Sequence, residues 1–367
     1  MTGSDPRTAD RAEAELAAEI PAPQAFRSVL GQSPAQETPG CPSPVPWREI
    51  VQAFRAESRP WRLDRGRYEL EGWTWGTGPP VYFLHGLSAT SELFALCVWL
   101  LKEQFRCVLL NLPGSRRGTV VRGRLTLQEL VADLFSAADL HEDRKFQIFA
   151  SSFGCLVALE ALRSDPDRVE RAVLQGGFAH LKLSIVERLL VRLGCVMPGQ
   201  LNILAFRRTI QAYNHRRWFP PFDADRWQFF IDTTGRVPIA SIAQRAAIIR
   251  DYDGRDALAK ICQPVLLIRS EGEGLVSSYC HKELTAGLPH ARIEWLHSCG
   301  HLPYLTHPHR LANIIRPFLS GADEALPSPV VDASPAVHAS PMSSADRAGA
   351  GPGESSAARN HEPETGR

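Results

Sequence analysis

The segment Phe149-Ala150-Ser151-Ser152-Phe153-Gly154-Cys155 constrains this chain more than any other. A strand pattern over 145–150 leads into it and a helical pattern over 153–163 leaves it. Strand and helix therefore meet with almost no loop between them. So sharp a turn closes only if the residues two before and two after its apex are small. Ala150 and Gly154 bracket Ser152 in that way. The apex side chain then stands at a helix N-terminus, where unpaired N–H groups favour developing negative charge. Ser152 is thus the candidate nucleophile, and the N–H of Phe153 is a candidate oxyanion donor. Ser151 as the apex would break the small-residue frame.

The rest of the chain repeats the alternation seen at this turn. Residues 67–75 alternate apolar and polar, as an antiparallel edge strand does. Compact apolar runs at 81–85, 105–112, 171–174, 265–268 and 292–296 read as further strands. Helical patterns lie between them, near 91–102, 125–140, 279–288 and 309–319. Strands alternating with helices predict an α/β class with a mostly parallel sheet flanked by helices. From about 181 to 252 the pattern is helical throughout, which predicts an all-helical cap inserted after the sixth strand, over the carboxyl edge where open α/β sheets bind ligands. The expected organisation is a tail over 1–46, core over 47–180 and 253–321, the cap over 181–252 and a tail over 322–367. Both tails are too poor in large apolar side chains to offset their ordering entropy, so disorder is expected there.

Three further loops fall at the same expected sheet edge. Phe83-Leu84-His85-Gly86-Leu87-Ser88 follows the third strand, and the N–H of Leu87 is the second candidate oxyanion donor. Arg269-Ser270-Glu271-Gly272-Glu273-Gly274 follows the penultimate strand, and His297-Ser298-Cys299-Gly300-His301-Leu302-Pro303 follows the last. A serine hydroxyl needs a base to take its proton, and the base needs a group to orient it. Nucleophile, acid and base in that order give Ser152, Glu273 and His301, with Glu271 as the alternative acid. His85 reads as a loop-shaping residue. His297, His307 and His309 read as solvated loop imidazoles in preference to a metal cluster with His301.

In these motifs the chain resembles the α/β-hydrolase superfamily, in its serine-hydrolase branch with a helical cap, over about residues 61–319. In such families the acid usually sits three residues beyond a small residue that follows the strand, which places it at Glu273 beyond Ser270. Ala150 stands where Gly is commonest, Glu where Asp is, and Phe153 is bulkier than the usual residue after the nucleophile. The resemblance implies hydrolysis of a small-molecule ester or thioester through an acyl-enzyme. Features near Tyr252 and at Leu302-Pro303-Tyr304-Leu305 resemble maspardin-like members. They imply the competing reading: a non-catalytic scaffold that binds a protein partner.

Composition excludes several other classes. Forty-one Lys and Arg against 40 Asp and Glu leave no global field for nucleic acid. The first thirty residues lack the basic-then-apolar order of a signal peptide, and no apolar run approaches the roughly 18 residues of a membrane span. Eight cysteines scattered singly, without a CxxC pair, predict free thiols and a cytoplasmic location. With no phosphate loop, dinucleotide fingerprint or metal motif, no cofactor is expected. Arg116 and Arg117, with Arg207, Arg208, Arg216 and Arg217 of the cap, could recognise an anionic group, although solvated faces are the commoner role. The apolar cap residues Val186, Leu189, Leu190, Leu193, Trp218, Phe219 and Phe222 could line an acyl pocket or touch a membrane. Packing onto the sheet domain is the expected role at that spacing.

Overall fold

The computed structural model describes residues 46–115, 121, 123–220, 223–276 and 278–322. Eight strands form one sheet in the order β1-β2-β4-β3-β5-β6-β7-β8. They are β1 (Arg59–Asp64), β2 (Glu69–Trp75), β3 (Pro80–Leu84), β4 (Arg106–Asn111), β5 (Phe146–Ser151), β6 (Val169–Gln175), β7 (Val265–Gly272) and β8 (Ala291–Gly300). Strand β2 runs antiparallel to both its neighbours, and every other pairing is parallel. The sequence expectation made 67–75 the edge strand. The edge is β1 instead, whose Pro60 and charged residues hide its strand pattern but suit an unpaired margin.

The central strands are buried on both faces, as parallel strands covered by crossover helices must be. One face carries α3 (Leu127–Leu140), α4 (Gly154–Ser164) and α9 (Ser278–Gly287). The other carries α1 (Trp47–Glu57), α2 (Ala95–Trp99) and α11 (Pro308–Leu319), which follows the single-turn α10 (Pro303–Thr306). Helix α3 starts at a reciprocal cap, the Thr126 side chain on the Glu129 N–H and the Glu129 carboxylate on the Thr126 N–H.

Between β6 and β7 the chain is helical, with α5 (Ile185–Gly194), α6 (Arg207–His215), α7 (Ala224–Gly235) and α8 (Ile239–Asp251). Phe219, Trp227, Phe230 and Ile231 of this insertion join the core on the α1–α11 face. Val186, Leu189, Leu190 and Leu193 do not pack inward as expected; they are exposed. Helix α5 turns Val191 and Gly194 inward instead, and a Cβ at Gly194 would stand 2.8 Å from the Ala243 Cβ of α8. Phe222, Arg116, Arg117 and both tails lie outside the described residues.

Candidate active site

The turn after β5 forms as its sequence requires. Ser152 adopts φ 52°, the left-handed region that costs a non-glycine residue about 1–3 kcal/mol. Gly154 is obligatory: a Cβ there would meet the Leu84 carbonyl oxygen at 2.4 Å, so α4 crosses β3 nearly in backbone contact. Gly86 keeps the opposite wall close, since a Cβ there would lie 3.3 Å from the Ser152 Cβ, a tight contact but a milder one than at Gly154. Ser152 remains half-buried, whereas Ser151 is fully buried and donates its hydroxyl to Gln175 Oε1 at 2.7 Å. Of the two serines only Ser152 is accessible.

Gln175, at the end of β6, ties the loops together. Its carbonyl accepts from the Ser152 N–H at 2.8 Å, and its side-chain amide donates to the His301 carbonyl at 3.1 Å. The serine turn and the histidine loop, 149 positions apart in the numbering, are thereby fixed to one residue. Gly176 follows with φ 59°, and a Cβ there would come within 3.0 Å of both Glu273 and His301.

His301 Nδ1 lies 2.5 Å from Glu273 Oε1, and both side chains are buried. Burial disfavours the Glu273 carboxylate, yet His301 and the Val276 N–H outweigh it and hold the carboxyl below its usual range. Burial likewise opposes the imidazolium, and the Glu273 charge outweighs that, raising the His301 pKa. Glu271 is drawn elsewhere. A register shift between Ser270 and Gly272 bulges it out of β7, and its carboxylate accepts from the Ser298 N–H at 2.7 Å. Among the described residues no hydrogen bond joins Ser152 Oγ to His301. Contacts of this kind often tighten only when substrate binds.

The loop after β3 is held from two sides. His85 is fully buried; its Nδ1 contacts the Gly86 carbonyl at 2.8 Å, and its Nε2 accepts from the Leu112 N–H at 3.0 Å. Burial, with Arg245 nearby, pushes its pKa down to about 3, so it stays neutral and structural. Arg245 of α8 donates to the carbonyls of Leu87, Leu112 and Pro113 and to Ser115 Oγ at 2.7–3.1 Å. Among the described residues it is the largest fully buried side chain, and burial alone drags its pKa down to about 9. Among the described residues no carboxylate pairs with it. Neither the Leu87 N–H nor the Phe153 N–H donates to another backbone carbonyl among these residues.

The insertion reaches the same loops. Gly272 and Gly300 face each other across β7 and β8, and the Trp218 indole lies on both, where a Cβ would collide at 1.8 and 2.3 Å. His215 stacks toward His301 with ring centroids 6.2 Å apart; burial depresses its pKa to about 3 and its Nδ1 has no partner. Trp218 was among the cap residues expected to pack or to line an acyl pocket, whereas Gln175, His215 and Arg245 were not anticipated. Only Arg245 left a readable trace, a charge in the buried stripe Ser241, Arg245, Ile248 and Ile249.

The insertion arginines considered for an anionic group, Arg207, Arg208, Arg216 and Arg217, have partners within the insertion. Arg207 is buried on the Ile231 carbonyl, and Arg216 and Arg217 lie over the rings of Trp227 and Trp218. Among the described residues no group of three His, Cys, Asp or Glu could hold a metal ion.

Comparison with known proteins agrees with this fold. The model of the alpha/beta hydrolase family matches residues 81–314. A pimeloyl-[acyl-carrier protein] methyl ester esterase of Aromatoleum aromaticum is 34% identical over 82 residues, 22% of this chain and 33% of that protein. A putative carbamate hydrolase RutD of Cronobacter turicensis is 24% identical over 55% of this chain and 75% of its own. The crystal structure of a hydrolase from Pseudomonas aeruginosa superposes with a TM-score of 0.63 at 21% identity, covering 71% of this chain and 98% of that one.

Proposed function

The chain belongs to the alpha/beta hydrolase family, and from that premise we propose that it is a serine hydrolase that cleaves a carboxylic ester or thioester through an acyl-enzyme. The observation that carries this reading is the buried His301–Glu273 pair beside an accessible serine at a strained strand-to-helix apex. The names of the relatives, an ester esterase and a carbamate hydrolase, support acyl-type substrates.

In the proposed reaction His301 Nε2 takes the Ser152 proton as Oγ attacks the substrate carbonyl carbon. Glu273 holds Nδ1–H, which fixes the tautomer and stabilises the imidazolium. The N–H groups of Leu87 and Phe153 receive the developing oxyanion, each worth about 2.7–4 kcal/mol of barrier lowering. Collapse expels the alcohol or thiol, which His301 protonates. His301 then deprotonates a water that attacks the acyl carbon, and Ser152 recovers its proton as the acid leaves. The helical insertion acts as the cap of this site, with His215 and Trp218 on its inner side. The buried free thiols of Cys97, Cys107 and Cys155 support a cytoplasmic location.

Labelling with a fluorophosphonate probe tests the proposal. The native protein is expected to label, and Ser152→Ala and His301→Ala are expected not to. A folded native protein that fails to label would transfer the reading to the protein-binding scaffold.

A further inference from the structure

Exposed large apolar side chains are concentrated in one place. Of the 17 among the described residues, 12 lie within residues 185–213, the outer part of the cap. Helix α5 starts at a reciprocal Ser184–Glu187 cap and presents Ile185, Val186, Leu189, Leu190 and Leu193, each 56–86% exposed. At 100° per residue these five fall in one sector of about 140°. Phe206, Ile210 and Tyr213 repeat the pattern at the start of α6 and along it, also more than half exposed.

The charges around this surface have one sign. Residues 185–213 contain Arg188, Arg192, Arg207 and Arg208, and Glu187 is their only acid. Glu187 is engaged in the cap of its own helix, its carboxylate accepting from the Ser184 N–H at 2.7 Å. On the helical projection Arg192 borders the apolar sector, while Glu187 and Arg188 lie equally far outside its two edges. Both arginines are exposed. An apolar stripe flanked by arginine, with the one nearby acid engaged in the helix's own cap, is the make-up of a helix that lies in the headgroup layer of a membrane. Among the described residues no helix is long and apolar enough to cross one.

We propose that the outer face of α5, extended by the Phe206–Tyr213 face, binds the surface of an anionic phospholipid bilayer. The apolar side chains enter the boundary between headgroups and acyl chains, and Arg188 and Arg192 meet the lipid phosphates. This attachment does not depend on the chemistry at Ser152.

Flotation of the full chain with vesicles tests it. Mixed phosphatidylglycerol–phosphatidylcholine vesicles are expected to carry the protein, and phosphatidylcholine vesicles to carry far less. Leu189→Glu combined with Leu193→Glu is expected to abolish flotation. Arg188→Gln with Arg192→Gln should weaken binding about fivefold per arginine removed. All four positions are exposed and away from the site, so hydrolysis of a short soluble ester should be unchanged. No flotation of the native protein, or flotation indifferent to these variants, overturns the proposal. So does a dimer in light scattering that Leu189→Glu dissociates without any vesicle binding, which would assign the face to a second copy of the chain.

Discussion

Arg245 offers the most demanding test of how the helical insertion supports the proposed site. Its guanidinium gives hydrogen bonds to the Leu87, Leu112 and Pro113 carbonyls and to Ser115 Oγ. Leu112 O keeps other donors, the N–H and Oγ of Ser115, so Arg245→Met strands the carbonyls of Leu87 and Pro113. An orphaned buried acceptor costs about 1–3 kcal/mol, hence about 2–6 kcal/mol for the pair. Against this stands the burial of the guanidinium itself, whose pKa is pulled down to about 9, a displacement worth about 5 kcal/mol. The two effects nearly cancel, so the variant should unfold in urea within about 3 kcal/mol of the native protein. The catalytic effect has no such offset. The carbonyl of Leu87 is tethered one atom group away from the proposed Leu87 N–H donor, and a displacement of that loop by about 1 Å costs on the order of 100-fold. We expect kcat for a short p-nitrophenyl ester to fall between about 10-fold and 100-fold, with KM nearly unchanged. The rate of fluorophosphonate labelling should fall in parallel. Native-like kcat and labelling in a folded Arg245→Met protein would refute the reasoning, because the loop would then need no tether.

Two further outcomes follow from the acid–base groups. His301 must be neutral to accept a proton, and its pKa is raised by Glu273, so activity should climb with pH through a midpoint above the ordinary histidine value of about 6.5. Glu273→Gln should lower that midpoint and reduce kcat by at least about 100-fold, while Glu271→Gln leaves both unchanged; the reverse pattern would identify Glu271 as the acid. His85 and His215 have folded pKa values near 3, so as pH falls below about 6.5 the unfolded chain binds protons that the fold refuses. Stability present above that pH is therefore lost on acidification, about 1.4 kcal/mol per pH unit for each group, or about 4 kcal/mol for both between pH 6.5 and 5. His301, shifted upward, acts with the opposite sign, its contribution being present below the ordinary histidine value and lost as pH rises through its raised one. Urea unfolding at the two pH values measures the difference, and a flat result would mean that these rings are solvated.

The parallel core was legible because each of its strands is a short apolar run buried on both faces, as in Phe146–Ser151. The margins were not. Arg59–Asp64 joins the sheet through Leu63 and Trp61 while carrying proline and three charges, a composition that an edge tolerates and a pattern search rejects. Helix α5 shows the opposite failure. Its apolar spacing is that of a packed helix, and spacing alone cannot say whether the stripe faces protein or another apolar phase. Only the inward turn of Val191 and Gly194 against α8 settles which side the fold uses.

The same division runs through the site. Ser152, Gly154 and Gly86 could be read because backbone crowding at a strand-to-helix turn restricts residues at fixed short offsets. Glu273 was separable from Glu271 by resemblance, and the physical reason is the bulge that turns Glu271 out to the Ser298 N–H. Gln175, Trp218 and Arg245 act over separations that no local pattern encodes: 126 positions from Gln175 to His301, and 158 from Arg245 to Leu87. They share a mechanism. Each satisfies or covers backbone at the candidate site: Gln175 the His301 carbonyl and Arg245 the Leu87 carbonyl, both beyond the strands, and Trp218 the paired Gly272 and Gly300 main chain at the ends of β7 and β8. Loops released from a sheet must find such partners or leave buried polar groups unpaired. In this chain the partners come from the end of β6 and from the helical insertion between β6 and β7, so the insertion completes the backbone bonding of these loops.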